Sequence, residues 1–198
     1  NNGNIETAKL FLKDLTREQK FKLTKMKFYD NWTPLLRAIH KKNIETAKLF
    51  LEDLSKDERF ELLNIRSYHS MYSPLGLAVQ SESTDTIKLI LEGSSSEEKL
   101  SPDQKIALLK IKNRDGLTPL NLAIKYGHTD TAELLLKDLI KEQKIALLKI
   151  KNRDGLTPLN SAIKYGHTDT IKLLLKDLSK DEKFDLLKLT VNDKWSPL

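Results

Sequence analysis

Short apolar stretches recur along the chain, and each follows a Thr or Ser that precedes Pro-Leu. A hydroxyl side chain before a proline is typical of a helix start, because the hydroxyl caps the first turn, where the N–H that proline lacks has no partner anyway. The steps recur with spacings of 40, 45, 39 and 39 residues. Such a period indicates a solenoid of repeated helical units. The five steps begin at Thr33, Ser73, Thr118, Thr157 and Ser196.

Two helices separated by a glycine are predicted in each repeat. The first helix carries apolar residues and a small residue for close packing, such as Ala123. Gly127 and Gly166 then supply the left-handed residue with which helices commonly end. The next position is the N-cap of a second helix, because Asn and Ser are preferred there and an acid follows two residues later, near the positive helix end. The residues at this position are Asn4, Asn43, Ser83, His128 and His167.

A third apolar segment ends every repeat, and its five copies read FKLTKM, FELLNI, IALLKI, IALLKI and FDLLKL. A Ser or Thr with Gln or Glu three residues later precedes most copies, which is the capping-box spacing of a helix start. We therefore expect a short third helix in each repeat. Ile140 occupies the cap position of one copy, so the second helix is expected to continue there. The capping pairs are Thr16 and Gln19, Ser55 and Glu58, Ser101 and Gln104, and Ser179 and Glu182.

Two of the repeats are nearly identical, and one connection is longer than the others. The connection Gly93–Leu100, GSSSEEKL, accounts for the 45-residue spacing. Its composition predicts an exposed flexible loop rather than a domain boundary. The duplicated segments Ile106–Leu139 and Ile145–Leu178 differ only at Leu122/Ser161, Ala132/Ile171 and Glu133/Lys172.

Composition narrows the class of protein. The 198 residues are 39% hydrophobic and 31% charged, which suits a thin solenoid with much surface per residue. The chain has no cysteine, which excludes disulfides and fits a reducing compartment. No apolar run approaches the roughly 20 residues that span a bilayer, so we expect no membrane insertion.

The net charge of +6 comes from lysines that alternate with acids, which is typical of solvated helix faces. Binding to nucleic acid or another anionic surface is therefore the alternative function and not the favoured one. It would require a basic ladder, which Asp115 and Asp154 interrupt, and an affinity that falls steeply with salt. The ladder would consist of Lys110, Lys112, Arg114 and Lys125 with their copies Lys149, Lys151, Arg153 and Lys164.

The sequence contains no motif for catalysis, cofactor binding or metal ligation. A cysteine nucleophile, a Gly-rich phosphate loop and a G-x-S-x-G motif are all missing. His40 and His69 have no partner at metal-ligand spacing. We expect no enzyme activity, no cofactor and no metal in this segment. The recurring acids are interpreted as helix-surface residues, and they are Asp14, Asp53, Asp138 and Asp177.

The run Asp115-Gly116-Leu117-Thr118-Pro119-Leu120, with Ala123, Gly127-His128 and Leu134–Leu136, resembles the ankyrin repeat. The resemblance implies an all-α, ankyrin-type solenoid with an extra short helix per repeat and hairpin-like finger turns. Residues 1–198 are expected to form a single array cut from a longer chain, since neither end has a polar capping repeat. The repeats depart from the family in length, 39 residues instead of 33. They also lack the His that follows Thr-Pro-Leu, which is replaced by Leu36, Gly76, Asn121 and Asn160.

In ankyrin-repeat proteins the finger turns and first helices line a concave surface that binds other proteins. The resemblance therefore implies a scaffold or target-recognition module whose partner is another protein, or else a non-catalytic targeting region of a larger effector or enzyme. A cytoplasmic location is expected. The Lys/Asn/Ile-rich composition is similar to that of arrays in effectors of intracellular bacteria, which would act in a host cytosol. The candidate partner-binding residues are Tyr29, Trp32, Arg37, His40, His69, Tyr72, Arg114, Leu117, Lys125, Tyr126, Arg153, Leu156, Lys164, Tyr165 and Trp195.

The residue before each Thr/Ser-Pro step is apolar in every copy. Two interpretations stay open for this stripe. Its members either supply anchor contacts to a partner, since large aromatics dominate interface hot spots, or pack on the preceding finger and stiffen the solenoid. The stripe consists of Trp32, Tyr72, Leu117, Leu156 and Trp195.

Overall fold

Every helix with defined bounds belongs to a regular three-helix repeat. The computed structural model of the chain describes residues 6, 8–10, 12–28, 31–95 and 98–191, and no strand occurs among them. The chain divides into two compact units, Asn1–Ile111 (unit 1) and Lys112–Leu198 (unit 2).

Unit 1 contains seven of the helices whose bounds lie in the described residues. These are α1 (Arg17–Lys25), α2 (Pro34–His40), α3 (Ile44–Leu51), α4 (Lys56–Leu63), α5 (Pro74–Gln80), α6 (Thr84–Glu92) and α7 (Pro102–Lys110). Unit 2 contains α8 (Pro119–Lys125), α9 (Thr129–Leu136), α10 (Lys141–Leu148), α11 (Pro158–Lys164), α12 (Thr168–Leu175) and α13 (Lys180–Val191). The predicted order of first, second and third helix is confirmed.

The helix starts have the predicted caps. The Thr33 and Ser73 hydroxyls accept the backbone N–H groups of Leu36 and Gly76 at 3.2 and 3.1 Å, with proline as the next residue. The third helices α1, α4 and α7 begin with complete capping boxes. Such caps satisfy N–H groups that have no partner within the helix.

The expectation that the second helix continues past Ile140 is wrong. Helix α9 ends at Leu136 and α10 begins at Lys141, with Ile140 at the N-cap. The Ile140 side chain cannot accept a hydrogen bond, but its backbone N–H donates to Gln143 Oε1 at 3.3 Å. Half a capping box, together with packing of the apolar face, is therefore enough to start this helix.

The core lies between the first and second helices. In unit 1, α2 packs against α3 and α5, and α5 packs against α6. In unit 2, α8 packs against α9 and α11, and α11 packs against α12. The small residues Ala38, Ala78, Ala123 and Ala162 are buried in the first helices, as the close approach of stacked helices requires.

The recurring aspartates lie in turns and not on helix surfaces, which corrects the interpretation from the sequence. Asp53, Asp138 and Asp177 have φ of 62°, 61° and 63°, in the left-handed turn between the second and third helices. Gly93, with φ 74°, takes the same position in the repeat with the longer connection. Aspartate tolerates this backbone better than most residues, which explains why the acid recurs.

Within each unit, a basic residue in a third helix contacts the repeat that follows. Lys20 in α1 lies 3.1 Å from the carboxylate of Asp53, in the turn after the next repeat's second helix. Lys144 in α10 donates to the backbone carbonyl of Lys176 at 2.9 Å, at the end of α12. Cations stabilise the carbonyl end of a helix, so this position caps a helix from the neighbouring repeat.

The longer connection is only partly exposed. Leu100 is buried, and Glu98 lies 3.6 Å from the guanidinium of Arg59 in α4. Arg59 occupies the third-helix position of Lys20 and Lys144, and it is fully buried. The expectation of an exposed loop is therefore wrong for the end of this connection, because the segment supplies the counter-charge of a buried arginine.

Two first helices end in a strained residue, which predicts a stabilising substitution. Lys42 and Glu82 have φ of 54° at the position that Gly127 and Gly166 occupy in the other repeats. Lys42→Gly and Glu82→Gly are each expected to raise the free energy of unfolding by about 0.5–1 kcal/mol. Glycine removes the left-handed backbone penalty of about 1–2 kcal/mol. This gain exceeds the free energy lost because glycine raises the conformational entropy of the unfolded chain. Urea denaturation followed by circular dichroism measures this change.

The control for this prediction is Gly127→Ala, which is expected to destabilise the chain. The alanine would adopt φ near 73°, and its Cβ would lie 3.1 Å from the His167 ring. If both glycine variants were less stable than the parent chain, the strain argument would be wrong at these positions.

Candidate functional site

The finger turns of unit 2 are held by an asparagine at their base. The N–H of Asn113 donates to the Leu117 carbonyl at 3.0 Å. Asn113 Oδ1 accepts the N–H groups of Asp115 and Leu117 at 3.0 and 2.9 Å. Asn152 closes the next finger similarly, since its N–H donates to the Leu156 carbonyl at 3.0 Å and its Oδ1 accepts the Leu156 N–H at 2.9 Å. These bonds explain why the asparagine opens both copies of the duplicated motif.

Adjacent fingers in unit 2 are joined through their backbones. The N–H of Arg153 donates to the carbonyl of Asp115 at 3.2 Å. A Cβ atom on Gly116 would lie 2.9 Å from the Arg153 nitrogen, and Gly116 has φ 73°. Glycine is therefore required at this position for both its backbone angle and its lack of a side chain. The arginines and aspartates at the finger tips are exposed.

The ends of the first helices in unit 2 present a lysine and a tyrosine side by side. Tyr126 and Tyr165 are 43% and 42% exposed, and Lys125 and Lys164 are exposed beside them. The rings of Tyr126 and His128 stack with centroids 5.7 Å apart, and Tyr165 and His167 lie 5.9 Å apart. The N-cap histidines thus hold the tyrosines in place while leaving part of each ring accessible.

In unit 1, the end of the first described finger and the helix α2 that follows it together line a cavity. Trp32, Arg37 and His40 line a cavity of about 250 Å³ together with Lys41. The Trp32 and His40 rings meet edge to face with centroids 5.1 Å apart. The structure therefore brings three predicted residues together. Lys41 occupies the repeat position that Tyr126 and Tyr165 hold in unit 2.

The second finger of unit 1 is one residue longer than the others. It closes with a hydrogen bond from the Ser67 N–H to the Tyr72 carbonyl at 3.0 Å. The predicted residue His69 is exposed near its tip, where its ring contacts that of Tyr68 at 5.3 Å. Tyr68 is 65% exposed, yet it was not among the predicted residues.

The apolar stripe before the Thr/Ser-Pro steps is not uniform. Leu117 is only 5% exposed, which favours the packing interpretation at this position. Trp32, Tyr72 and Leu156 are half-buried, so each has surface left for a contact. The predicted residues Tyr29 and Trp195 lie outside the described residues.

In the first repeat of unit 2, the residue after Thr-Pro-Leu bonds to the cap residue of its own helix. Asn121 is fully buried, and its Oδ1 accepts the hydroxyl of Thr118 at 2.6 Å. This contact completes a capping box at the start of α8. Asn121 therefore caps its own first helix, whereas the equivalent Asn160 Oδ1 has no hydrogen-bond partner among the described residues.

Charges on the third helices are paired between repeats. Arg17 in α1 forms an ion pair with Glu58 in α4, and Lys141 in α10 lies 2.8 Å from Glu182 in α13. The pKa of Glu58 is lowered by the Ser55 backbone N–H and by Arg17, and that of Glu182 by Lys141 and the Ser179 N–H. These basic residues are used inside the molecule, unlike the lysines at the ends of α8 and α11.

The lowered pKa of Glu58 predicts acid sensitivity. A carboxyl with a depressed folded-state pKa stabilises the fold above its unfolded pKa, about 4.3, and this contribution is lost as pH falls through the folded pKa. Stability should therefore decrease below about pH 5, by less than about 1 kcal/mol from this group because the pair is exposed. Glu58→Gln should flatten the dependence in urea denaturation between pH 3 and 6.

A reverse variant provides the control. Gln143 has the same capping position in α10, so Gln143→Glu should add acid sensitivity. An unchanged pH profile in both variants would show that these N-terminal carboxyls do not influence stability.

Two further findings concern metal binding and membrane-spanning helices. Among the described residues, no group of three or more His, Cys, Asp or Glu side chains could hold a metal ion. None of the described helices is both long enough and apolar enough to cross a membrane.

Stacked three-helix repeats with short finger turns define a helical repeat protein. The family model for ankyrin repeats (three copies) matches residues 1–103 and 75–186, so the chain belongs to the ankyrin-repeat family. A crystal structure of an ankyrin repeat domain from Acinetobacter baumannii AYE is similar, with a TM-score of 0.64 and 22% sequence identity. This match covers 91% of the present chain and 82% of that chain. No curated protein matches the chain. Ankyrin repeats are generally protein-interaction modules and are typically non-catalytic.

Proposed function

We propose that the chain is a non-catalytic recognition module that binds another protein through its fingers and the exposed ends of its first helices. The observation that carries this proposal is the pair of half-exposed tyrosines, Tyr126 and Tyr165, each beside an exposed lysine. Tyrosine supplies a large contact area with little loss of conformational freedom, and such residues dominate protein interfaces.

Unit 1 contributes a second set of candidate contacts. Trp32, Arg37, His40, His69 and Tyr72 lie on its fingers and its first helix α2. They combine aromatic rings with cations, and tryptophan, tyrosine and arginine are the residues enriched in hot spots. In unit 2 the proposed contact residues are Arg114, Lys125, Tyr126, Arg153, Leu156, Lys164 and Tyr165.

Nucleic-acid binding is less well supported. The Nζ of Lys112, a member of the basic ladder, donates to the Lys151 carbonyl at 2.9 Å, so this lysine already has an internal role. Asp115 and Asp154 are exposed among the remaining members. Phosphate binding requires several converging cations, and each acid in the ladder opposes it.

Affinity capture with the whole chain tests the proposal. Immobilised parent chain, the double variant Tyr126→Ala/Tyr165→Ala and the control Phe184→Ala are exposed to the same cell lysate, and retained proteins are identified by mass spectrometry. Phe184 is 58% exposed on the third helix α13 and so matches the tyrosines in exposure but not in location. Proteins retained by the parent and by the control, but lost from the tyrosine variant, are the expected result. Equal retention by all three chains would contradict the proposed surface.

The two interpretations of the aromatic stripe predict different results for Trp32→Ala and Tyr72→Ala. Both side chains are half-buried, so a packing role predicts that each substitution lowers the melting temperature by several degrees, or about 1 kcal/mol or more. Contact residues would leave the melting temperature nearly unchanged and weaken partner capture. Thermal unfolding followed by circular dichroism distinguishes the two, with Tyr68→Ala as the exposed control.

A further inference from the structure

The proposed surface of unit 2 contains the same lysine–tyrosine pair twice. The duplicated repeats differ at three pairs of positions, and none of these lies on the fingers or at the ends of the first helices. Leu122 and Ser161 are buried, and the other differences lie in the second helices α9 and α12. Lys125 with Tyr126 and Lys164 with Tyr165 therefore form two equal subsites on the packed helices α8 and α11.

Lys125 and Lys164 differ from several other lysines of unit 2 in their contacts within the chain. Lys141 pairs with Glu182, Lys172 lies 3.0 Å from Asp169, and Lys144 donates to the Lys176 carbonyl. Among the described residues of unit 2, Lys125 and Lys164 form no ion pair, and Lys164 Nζ lies 6.0 Å from the centre of the Tyr165 ring. Two like charges on neighbouring helices are available to an acidic partner.

The separation of the subsites determines which acidic partner fits. Packed helices lie about 8–10 Å apart, so the lysines repeat at about that distance. On one face of an extended strand, side chains repeat every 6.6 Å or so, and then at about 13 Å, and neither spacing matches. On one face of a helix, residues i and i+7 are about 10.5 Å apart, which does match.

We propose that unit 2 binds an acidic amphipathic helix that places carboxylates at i and i+7 against Lys125 and Lys164 and apolar side chains against Tyr126 and Tyr165. This inference rests on the proposed function and adds the chemistry of the partner. A helix laid across both subsites makes the same contact twice. Binding through two weak contacts on one rigid ligand is tighter than through either alone.

The test measures fluorescence anisotropy of labelled helical peptides with the whole chain. One 15-residue alanine-based peptide carries Glu at i and i+7 with Leu between them on the same face, and a second carries the same residues with Glu at i and i+4. We expect the i, i+7 peptide to bind about tenfold more tightly. Equal affinity for the two peptides would overturn the proposed register.

Matched lysine variants locate the binding site. Lys125→Glu and Lys164→Glu should each weaken binding of the i, i+7 peptide about five- to tenfold, since an attraction becomes a repulsion. Lys172→Glu makes the same charge change in the same repeat, where the other copy already has Glu133, and should change affinity less than twofold. Equal losses in all three variants would indicate attraction to net charge and overturn the site.

Binding of a single-stranded oligonucleotide, measured in the same assay, tests the alternative that the two lysines bind nucleic acid. If it bound more tightly than the peptide and lost affinity in the lysine variants, the site would be a nucleic-acid site and the inference would fail. If Tyr126→Ala/Tyr165→Ala abolished capture of a protein from lysate while the i, i+7 peptide did not bind, the proposed function would stand and the acidic-helix inference would fall. The two proposals therefore fail separately.

Discussion

Replacing Arg59 by alanine is expected to lower the free energy of unfolding by about 3–5 kcal/mol. The side chain is fully buried, its Nη1 lies 3.4 Å from the Leu51 carbonyl, and its Nη2 donates to the Leu89 carbonyl. Glu98 supplies the counter-charge at 3.6 Å. Burial lowers the pKa of Arg59, and Glu98 opposes this shift. Removing the guanidinium leaves a partly buried carboxylate and two helix-terminal carbonyls without this donor.

Equivalent residues elsewhere in the chain provide the control. Lys20 occupies the same third-helix position as Arg59, but 26% of its side chain is exposed. Lys20→Ala and Lys144→Ala are expected to cost about 1 kcal/mol or less, as exposed ion pairs and helix-end contacts do. Guanidinium denaturation followed by circular dichroism measures all three variants. A loss for Arg59→Ala no larger than for the lysine variants would show that burial of this arginine adds nothing to stability.

The special status of Arg59 follows from the longer connection. Lysine stands at the equivalent position in the other four copies, at residues 20, 105, 144 and 183. Only the repeat after Arg59 has the connection Gly93–Leu100, and Glu98 belongs to it. We therefore expect Glu98→Ala to be destabilising as well, and the double variant Arg59→Ala/Glu98→Ala to cost less than the sum of the two single variants.

Replacing Leu122 by serine is expected to cost about 3–4 kcal/mol. Leu122 is 1% exposed in α8, so the change removes a buried apolar side chain and introduces a hydroxyl into the space that remains. The native chain already has serine at the equivalent position of the other copy. This residue is Ser161 in α11, and it is 3% exposed. Something in that repeat has to compensate for the lost volume.

The second difference between the copies offers that compensation. Ala132 in α9 is replaced by Ile171 in α12, so a large residue and a small one exchange places between the first and second helices. We expect Leu122→Ser/Ala132→Ile to recover at least about 1 kcal/mol of the loss in a double-mutant cycle by urea denaturation. Ile171→Ala should lower the free energy of unfolding more than Ala132→Gly does. Strict additivity in the cycle would mean that the two positions do not share volume.

Local signals predicted most of the helix ends. Thr33, Ser73 and Thr118 cap their helices as expected, because a hydroxyl followed by proline acts within one turn of chain. Gly127 and Gly166 are left-handed as predicted. The helix start at Ile140 has no signal in its own side chain, because Gln143 and packing supply it. The left-handed aspartates were missed because their recurrence resembles that of a solvent-exposed helix position.

The candidate site was predictable in position but not in accessibility. The comparison of repeats identified Lys125, Tyr126 and their copies, which are exposed in the structure. It also identified Leu117, which is buried. Exposure depends on neighbours about 40 residues away in the chain, so the residue type alone could not distinguish Leu117 from the half-buried Leu156.

The amino-acid sequence by itself determined the period, the order of three helices per repeat and membership of the ankyrin-repeat family, because caps, prolines and glycines act over a few residues. The tertiary structure alone decided which cationic side chains form contacts within the molecule. Lys144 and Arg59 donate to carbonyls at the ends of second helices in the following repeats, and Lys20 pairs with Asp53 just after such a helix, whereas Lys125 and Lys164 remain at the surface. The five are similar cations in sequence, and they differ only in which helix end lies within reach once the repeats stack.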